Sequence, residues 1–162
     1  MFTINEILDI AIRIETNGES DYRDATRKTT NADLISMLQW MADEEARHAR
    51  WFAEVKDRAA IPSENPFLEE MSSELFKDLM GEQSFALKDV DFSKVERVDE
   101  LLAIFLEFEK DTVLFYEMLQ PFIQNPKTLE QLDAIIAEKN RHIERLHEFL
   151  QSEMESTIGS GA

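Results

Sequence analysis

Glu15 and Glu109 are 94 positions apart, as are Tyr22 and Tyr116, and His48 and His142. This single offset superposes two long segments of the chain without a gap. In both, apolar residues recur at alternating steps of three and four, the period of a helix that buries one face. The first copy supplies Ile4, Leu8, Ala11, Glu15, Gly18, Tyr22 and Ala25, then Leu34, Leu38, Met41, Glu45, His48, Phe52 and Val55. The second supplies Val98, Leu102, Phe105, Glu109, Thr112, Tyr116 and Leu119, then Thr128, Leu132, Ile135, Lys139, His142, Leu146 and Phe149. A chain duplicated in this way is expected to fold as two like helical hairpins about a pseudo-two-fold axis, with equivalent residues facing each other across it.

The joints agree. Lys28-Thr29-Thr30-Asn31 and Gln124-Asn125-Pro126 are short and polar, which makes antiparallel hairpins. About forty residues separate the two hairpins, enough to cross a bundle from end to end. Within them Asn65-Pro66 reads as a helix start and Gly81 as a stop, so a shorter helix is expected from Pro66 to Met80. Thr3 with Glu6, Ser93 with Glu96, and Thr128 with Gln131 have capping-box spacing. With Gly and Pro at four each and 31% charged residues, composition favours long helices over sheet. The expected organisation is an all-α four-helix bundle over residues 1–152, followed by a flexible tail over 153–162.

The polar members of the stripes locate the chemistry. Glu45 and His48 lie three apart and share one helix face. Glu15 and Glu109 occupy equivalent core positions, as do His48 and His142, two of only three histidines. Burying lone carboxylates costs several kcal/mol each unless they are paired. A divalent ion would offset that cost; a core salt bridge or a water-filled cavity could do so too. Carboxylate and imidazole suit iron, manganese or zinc, and the absence of cysteine excludes thiolate sites and iron–sulfur clusters. Glu19 rivals Glu15 on the first helix, but its counterpart is Val113, which favours Glu15. Glu44 reads as a solvated or supporting acid, and His147 falls off the stripe and reads as a surface residue. Tyr22, Tyr116, Trp40 and Trp51 read first as packing residues, the tryptophans also as dimer contacts.

The net charge of −17 argues against nucleic acid and anionic membrane as partners. No apolar run approaches membrane-spanning length, and Met1 to Glu6 lacks the basic start of a signal peptide, so a cytoplasmic location is expected.

As a set, Ile14-Glu15…Gly18…Tyr22, Asp43-Glu44-Glu45-Ala46-Arg47-His48-Ala49 and Glu109-Lys110-Asp111…Phe115-Tyr116 resemble the motifs of the ferritin-like di-iron carboxylate proteins, more narrowly their rubrerythrin-like branch. The resemblance spans roughly residues 4 to 150 and implies two hairpins joined by a long crossover. It also implies iron as cofactor, an oxidoreductase acting on peroxide, oxygen or ferrous iron, and Glu15, Glu45, His48, Glu109 and His142 as metal ligands. A homodimer through helix faces is the expected assembly. The sixth ligand position holds Lys139 where the family pattern has Glu. A protonated ammonium cannot ligate a metal. Three outcomes stay open: Lys139 replaces one ion electrostatically and leaves a single-metal site on Glu15, Glu45 and His48; Glu138 turns in and restores a dinuclear site; or Lys139 bridges the carboxylates of a metal-free bundle held by salt bridges. The alternative to an oxidoreductase is a non-catalytic metal-binding or interaction protein with a single-metal or metal-free site. The four-cysteine iron site of rubrerythrins proper is missing, so any redox cycle needs an external electron donor.

Overall fold

The three–four spacing does build four long helices. The computed structural model describes residues 4–58 and 97–159. Helix α1 spans Ile4–Ala25, α2 Ala32–Asp57, α3 Val98–Leu119 and α4 Pro126–Gly159. The duplication extends to the joints. A short 3₁₀ turn, Thr26–Lys28, follows α1, and its counterpart, Gln120–Phe122, follows α3 under the same 94-residue offset.

The two caps correspond as well. The Asn31 side chain accepts from the backbone N–H groups of Asp33 and Leu34 at 3.0 and 3.1 Å. The Asn125 side chain accepts from Thr128 N–H at 3.0 Å. The helix therefore starts at Pro126, ahead of the expected Thr128–Gln131 capping box, because Asn125 offers a free acceptor and Pro126 needs no amide partner at the first helical position. The other two capping boxes involve Thr3, Ser93 and Glu96 and lie, like the expected Pro66–Met80 helix and the crossover, outside the described residues. Helix α4 continues past residue 152, where the bundle was expected to give way to a tail, as far as Gly159. Glu153, Met154 and Glu155 are good helix formers that carry it on.

Surface contacts fix the relative directions of α1, α2 and α4. Arg23 near the end of α1 meets Asp43 in the first half of α2 at 2.9 Å, whereas Asp9 near the start of α1 meets Lys56 at the end of α2 at 2.6 Å. The two helices are thus antiparallel. Trp51 donates to Gln131 at 3.1 Å and Arg47 to Glu138 at 2.7 Å, so α2 and α4 are antiparallel too.

The inward stripes form one core, in which Leu8, Leu38, Leu102 and Leu132 are almost completely buried equivalents. Tyr22 packs edge-on against Phe105 with ring centres 4.6 Å apart, and Phe52 lies against Tyr116 at 4.9 Å. These rings wall the bundle's middle against water. No helix among the described residues is long and apolar enough to cross a membrane.

Candidate metal centre

Halfway along the bundle the apolar stripe of every helix is interrupted by polar residues, all completely buried: Glu15 on α1, Glu45 and His48 on α2, Glu109 on α3, and Lys139 and His142 on α4. They assemble into two triplets, Glu15–Glu45–His48 and Glu45–Glu109–His142. In each triplet one ligand-type atom per residue lies within 4.8 Å of the others. Glu45 belongs to both. The five residues that the resemblance implied as ligands are therefore brought together. Glu19 instead pairs with Arg23 at 3.0 Å, and His147 is exposed.

Lys139 stands in the middle of the carboxylates. Its Nζ donates to both oxygens of Glu45 at 2.7 and 2.6 Å and lies 3.1 Å from Glu15 and 3.4 Å from Glu109. Burial is the largest single influence and opposes all of these charges, but at Glu15 and Glu109 the ammonium and the neighbouring histidine and hydrogen-bond partners together outweigh it. Glu15 is held below its ordinary value, and Glu109, with His142 also beside it, at about 2. Glu45 moves the other way: burial, then the Glu15 charge, pushes it well above the usual carboxylate range. The same carboxylates keep Lys139 firmly protonated against burial, and Glu109 foremost raises His142 to about 11.

Each imidazole is braced from outside. His48 Nε2 lies 2.6 Å from Glu138, and His142 Nε2 lies 2.6 Å from Glu44; the two acids are equivalents in the repeat. The His48 hydrogen bond and Arg47 hold Glu138 at about 2 despite partial burial, so Glu138 is an acceptor. His48 Nε2 therefore donates to it, and the ring's Nδ1 points inward, 3.4 Å from Glu15 Oε2. This is the arrangement in which metal-bound histidines are oriented. Glu138, a possible sixth ligand by sequence, lies outside both triplets and serves as this brace.

His48 Nδ1, Glu15 Oε2 and Glu109 Oε2 are buried and make no hydrogen bond, although the Lys139 ammonium lies 3.1 Å from Glu15 Oε2 and 3.4 Å from Glu109 Oε2. Buried polar atoms seldom stay unpartnered in a folded protein. Two of the three belong to the Glu15–Glu45–His48 triplet and face each other, as a site for a bound cation requires. The donors fit one divalent ion there.

The surrounding residues complete the geometry. Tyr22 O–H donates to Glu109 at 2.5 Å and Tyr116 O–H donates to Glu15, so each tyrosine serves the other hairpin's acid. Burial first, then these carboxylates, push both phenols well above their ordinary range and keep them protonated. A Cβ on Gly18 would come within 3.0 Å of Glu45 Oε2 and 3.3 Å of Phe108. Only glycine lets α1 pass this close to the Glu45 carboxylate without displacing a neighbour.

The two ends of the centre differ in cover. Trp40 packs edge-on over the His142 ring at 5.1 Å, whereas its counterpart in the repeat is Ala134. The small side chain leaves a groove of about 360 Å³, lined by Arg47, His48, Trp51, Ala134 and Glu138, that opens onto the His48 side. The roles of Trp40 and Ala134 were not apparent from their spacing, although their mismatch under the 94-residue offset was a signal.

Among curated proteins none matches this chain. Among solved structures it is similar to a Thermotoga maritima protein described as a ferritin-like diiron-carboxylate protein. That likeness has a TM-score of 0.67 at 24% identity and covers 93% of this chain and 95% of the other. At this identity it speaks for the fold, the all-helical ferritin-like bundle. The Rubrerythrin family matches residues 6–150. That match runs from the first turn of α1 far into α4, and the chain therefore belongs to the rubrerythrin family.

Proposed function

We propose that this protein is a metal-dependent oxidoreductase of rubrerythrin type that reduces a small-molecule oxidant, peroxide or oxygen, with electrons from an external donor. The metal is iron, and its ligands are drawn from Glu15, Glu45, His48, Glu109 and His142. The observation that carries this reading is the convergence of these five buried side chains into two ligand triplets, with His48 Nδ1 left without a hydrogen bond.

A bound iron ion would supply the change in oxidation state that none of these side chains provides. The residues do the rest. Glu138 and Glu44 fix the two imidazoles by accepting from their outer nitrogens. Lys139, Tyr22 and Tyr116 hold protons within the cluster, where reduction of peroxide to water consumes two protons with its two electrons. Tyr22, Phe52, Phe105 and Tyr116 exclude bulk water. The groove at Ala134 offers a small oxidant a path to the His48 side. With no cysteine in the chain, electrons come from a separate donor.

The test is anaerobic loading with ferrous iron followed by hydrogen peroxide. The expected result is peroxide-dependent oxidation of bound iron, read by near-ultraviolet absorbance, and its loss in Glu15→Gln. Iron that stays bound and ferrous in the presence of peroxide would sink the proposal. It would favour a second reading, suggested by the Lys139 contacts, in which the centre is a non-catalytic metal-binding or interaction module.

A further inference from the structure

The duplication makes Lys139 the counterpart of Glu45, and this one exchange decides how many ions the centre accepts. We infer that the centre holds a single divalent ion, at Glu15, Glu45 and His48, and that the Lys139 side chain stands permanently in the place of a second. The inference rests on the metal-binding reading above and narrows it.

Charge is the first ground. Two divalent ions carry four positive charges and are balanced by four carboxylates. This cluster has three around Lys139, namely Glu15, Glu45 and Glu109, all completely buried. One divalent ion together with the ammonium balances them, and Glu44, 2.6 Å from His142, balances the charge of that imidazole. Two ions and the ammonium would leave two uncompensated positive charges out of reach of water, which buried sites do not tolerate.

Position is the second. The ammonium contacts all three carboxylates at 2.6 to 3.4 Å, so it already holds two ligand residues of each triplet, Glu45 in both, which opposes filling both at once and leaves the choice between them to the imidazoles and to access.

The state of the imidazoles is the third. Both nitrogens of His142 already have carboxylate partners, Glu109 at 3.2 Å and Glu44 at 2.6 Å. His48 makes a hydrogen bond only through its outer nitrogen; its Nδ1 makes none and faces Glu15 Oε2 at 3.4 Å, an oxygen whose other close contact is the Lys139 ammonium at 3.1 Å. A carboxylate has lone pairs for more than one partner, so Glu45 can face the ion and keep Lys139. Access agrees, since the groove opens on His48 while Trp40 covers His142.

The experiment is to strip the full chain with chelator, dialyse it against manganous ion, count bound manganese by elemental analysis, and record its electron paramagnetic resonance. Wild type is expected to hold one manganese per chain with the six-line signal of an isolated ion. His48→Gln should weaken binding by about tenfold more than His142→Gln does. Lys139→Glu should take two ions and give an exchange-coupled signal. Two coupled ions in wild type would overturn this inference while leaving the oxidoreductase reading intact; no bound ion would overturn both. A His142→Gln loss larger than that of His48→Gln would also overturn it. The wild-type count and the histidine pair decide the matter even if Lys139→Glu fails to fold.

Discussion

Asp21 precedes Tyr22 on α1, half-buried and near Asp24. Burial, with the Asp24 charge, raises its carboxyl from 3.8 to about 6. The folded state therefore binds this proton more tightly than the unfolded chain. Its ionisation costs stability as pH rises from 3.8 through 6, and the full cost is present at neutral pH. Asp21→Asn should then stabilise the protein by about 1 kcal/mol at pH 7, after allowance for solvent screening of a half-exposed group. The gain should vanish below pH 3.8, and urea unfolding at the two pH values measures both. Gly18 offers a second residue-scale test. Alanine would favour the helix by about 1 kcal/mol, but its Cβ would press on a Glu45 carboxylate already held by Lys139. Gly18→Ala is expected to weaken manganous-ion binding several-fold whatever it does to the melting temperature, and isothermal titration would show it. The glycine could be picked out of the sequence as part of a motif; its reason is the carboxylate beneath it, which belongs to another helix.

Within single elements, the ends of α2 and α4 are set by the equivalent caps Asn31 and Asn125. Asn31→Ala and Asn125→Ala should each cost about 1 kcal/mol, the usual price of a lost side-chain cap, read from thermal or denaturant unfolding. A loss confined to one of them would mean that the two hairpins do not depend on their joints alike. Both asparagines lie on the 94-residue offset, yet the hydroxyl of Thr128 competed as a cap in the sequence. Periodicity finds where a helix buries its face; it resolves poorly which of several polar residues turns back to cap it. The length of α4 has a similar cause: the apolar stripe fades near Phe149, but good helix formers carry the backbone on to Gly159.

For the molecule as a whole, the centre ties the hairpins together. Tyr22 on α1 serves Glu109 on α3, and Tyr116 on α3 serves Glu15 on α1. Tyr22→Phe and Tyr116→Phe should each destabilise the protein by about 1–3 kcal/mol, because each leaves a buried carboxylate oxygen without its donor. Both act on one charged cluster, so the double variant should depart from additivity by at least about 0.5 kcal/mol in a denaturant-unfolding cycle. Strict additivity would mean that the two halves of the centre are energetically separate. The bundle, its two hairpins and the five candidate ligands could be read in advance because one offset placed Glu15, His48, Glu109 and His142 on inward faces at matching depth.

The sequence alone determined the helices, their duplication and the exchange of Glu45 for Lys139, because helical period and repeat offset are properties of order along the chain. Only the tertiary structure decided what that exchange does. Lys139 reaches all three carboxylates, Glu44 and Glu138 brace histidines on the facing helix, and Trp40 covers one imidazole while Ala134 leaves the other open. Each of these depends on where a side chain points across a helix–helix interface, and spacing within one helix does not encode that.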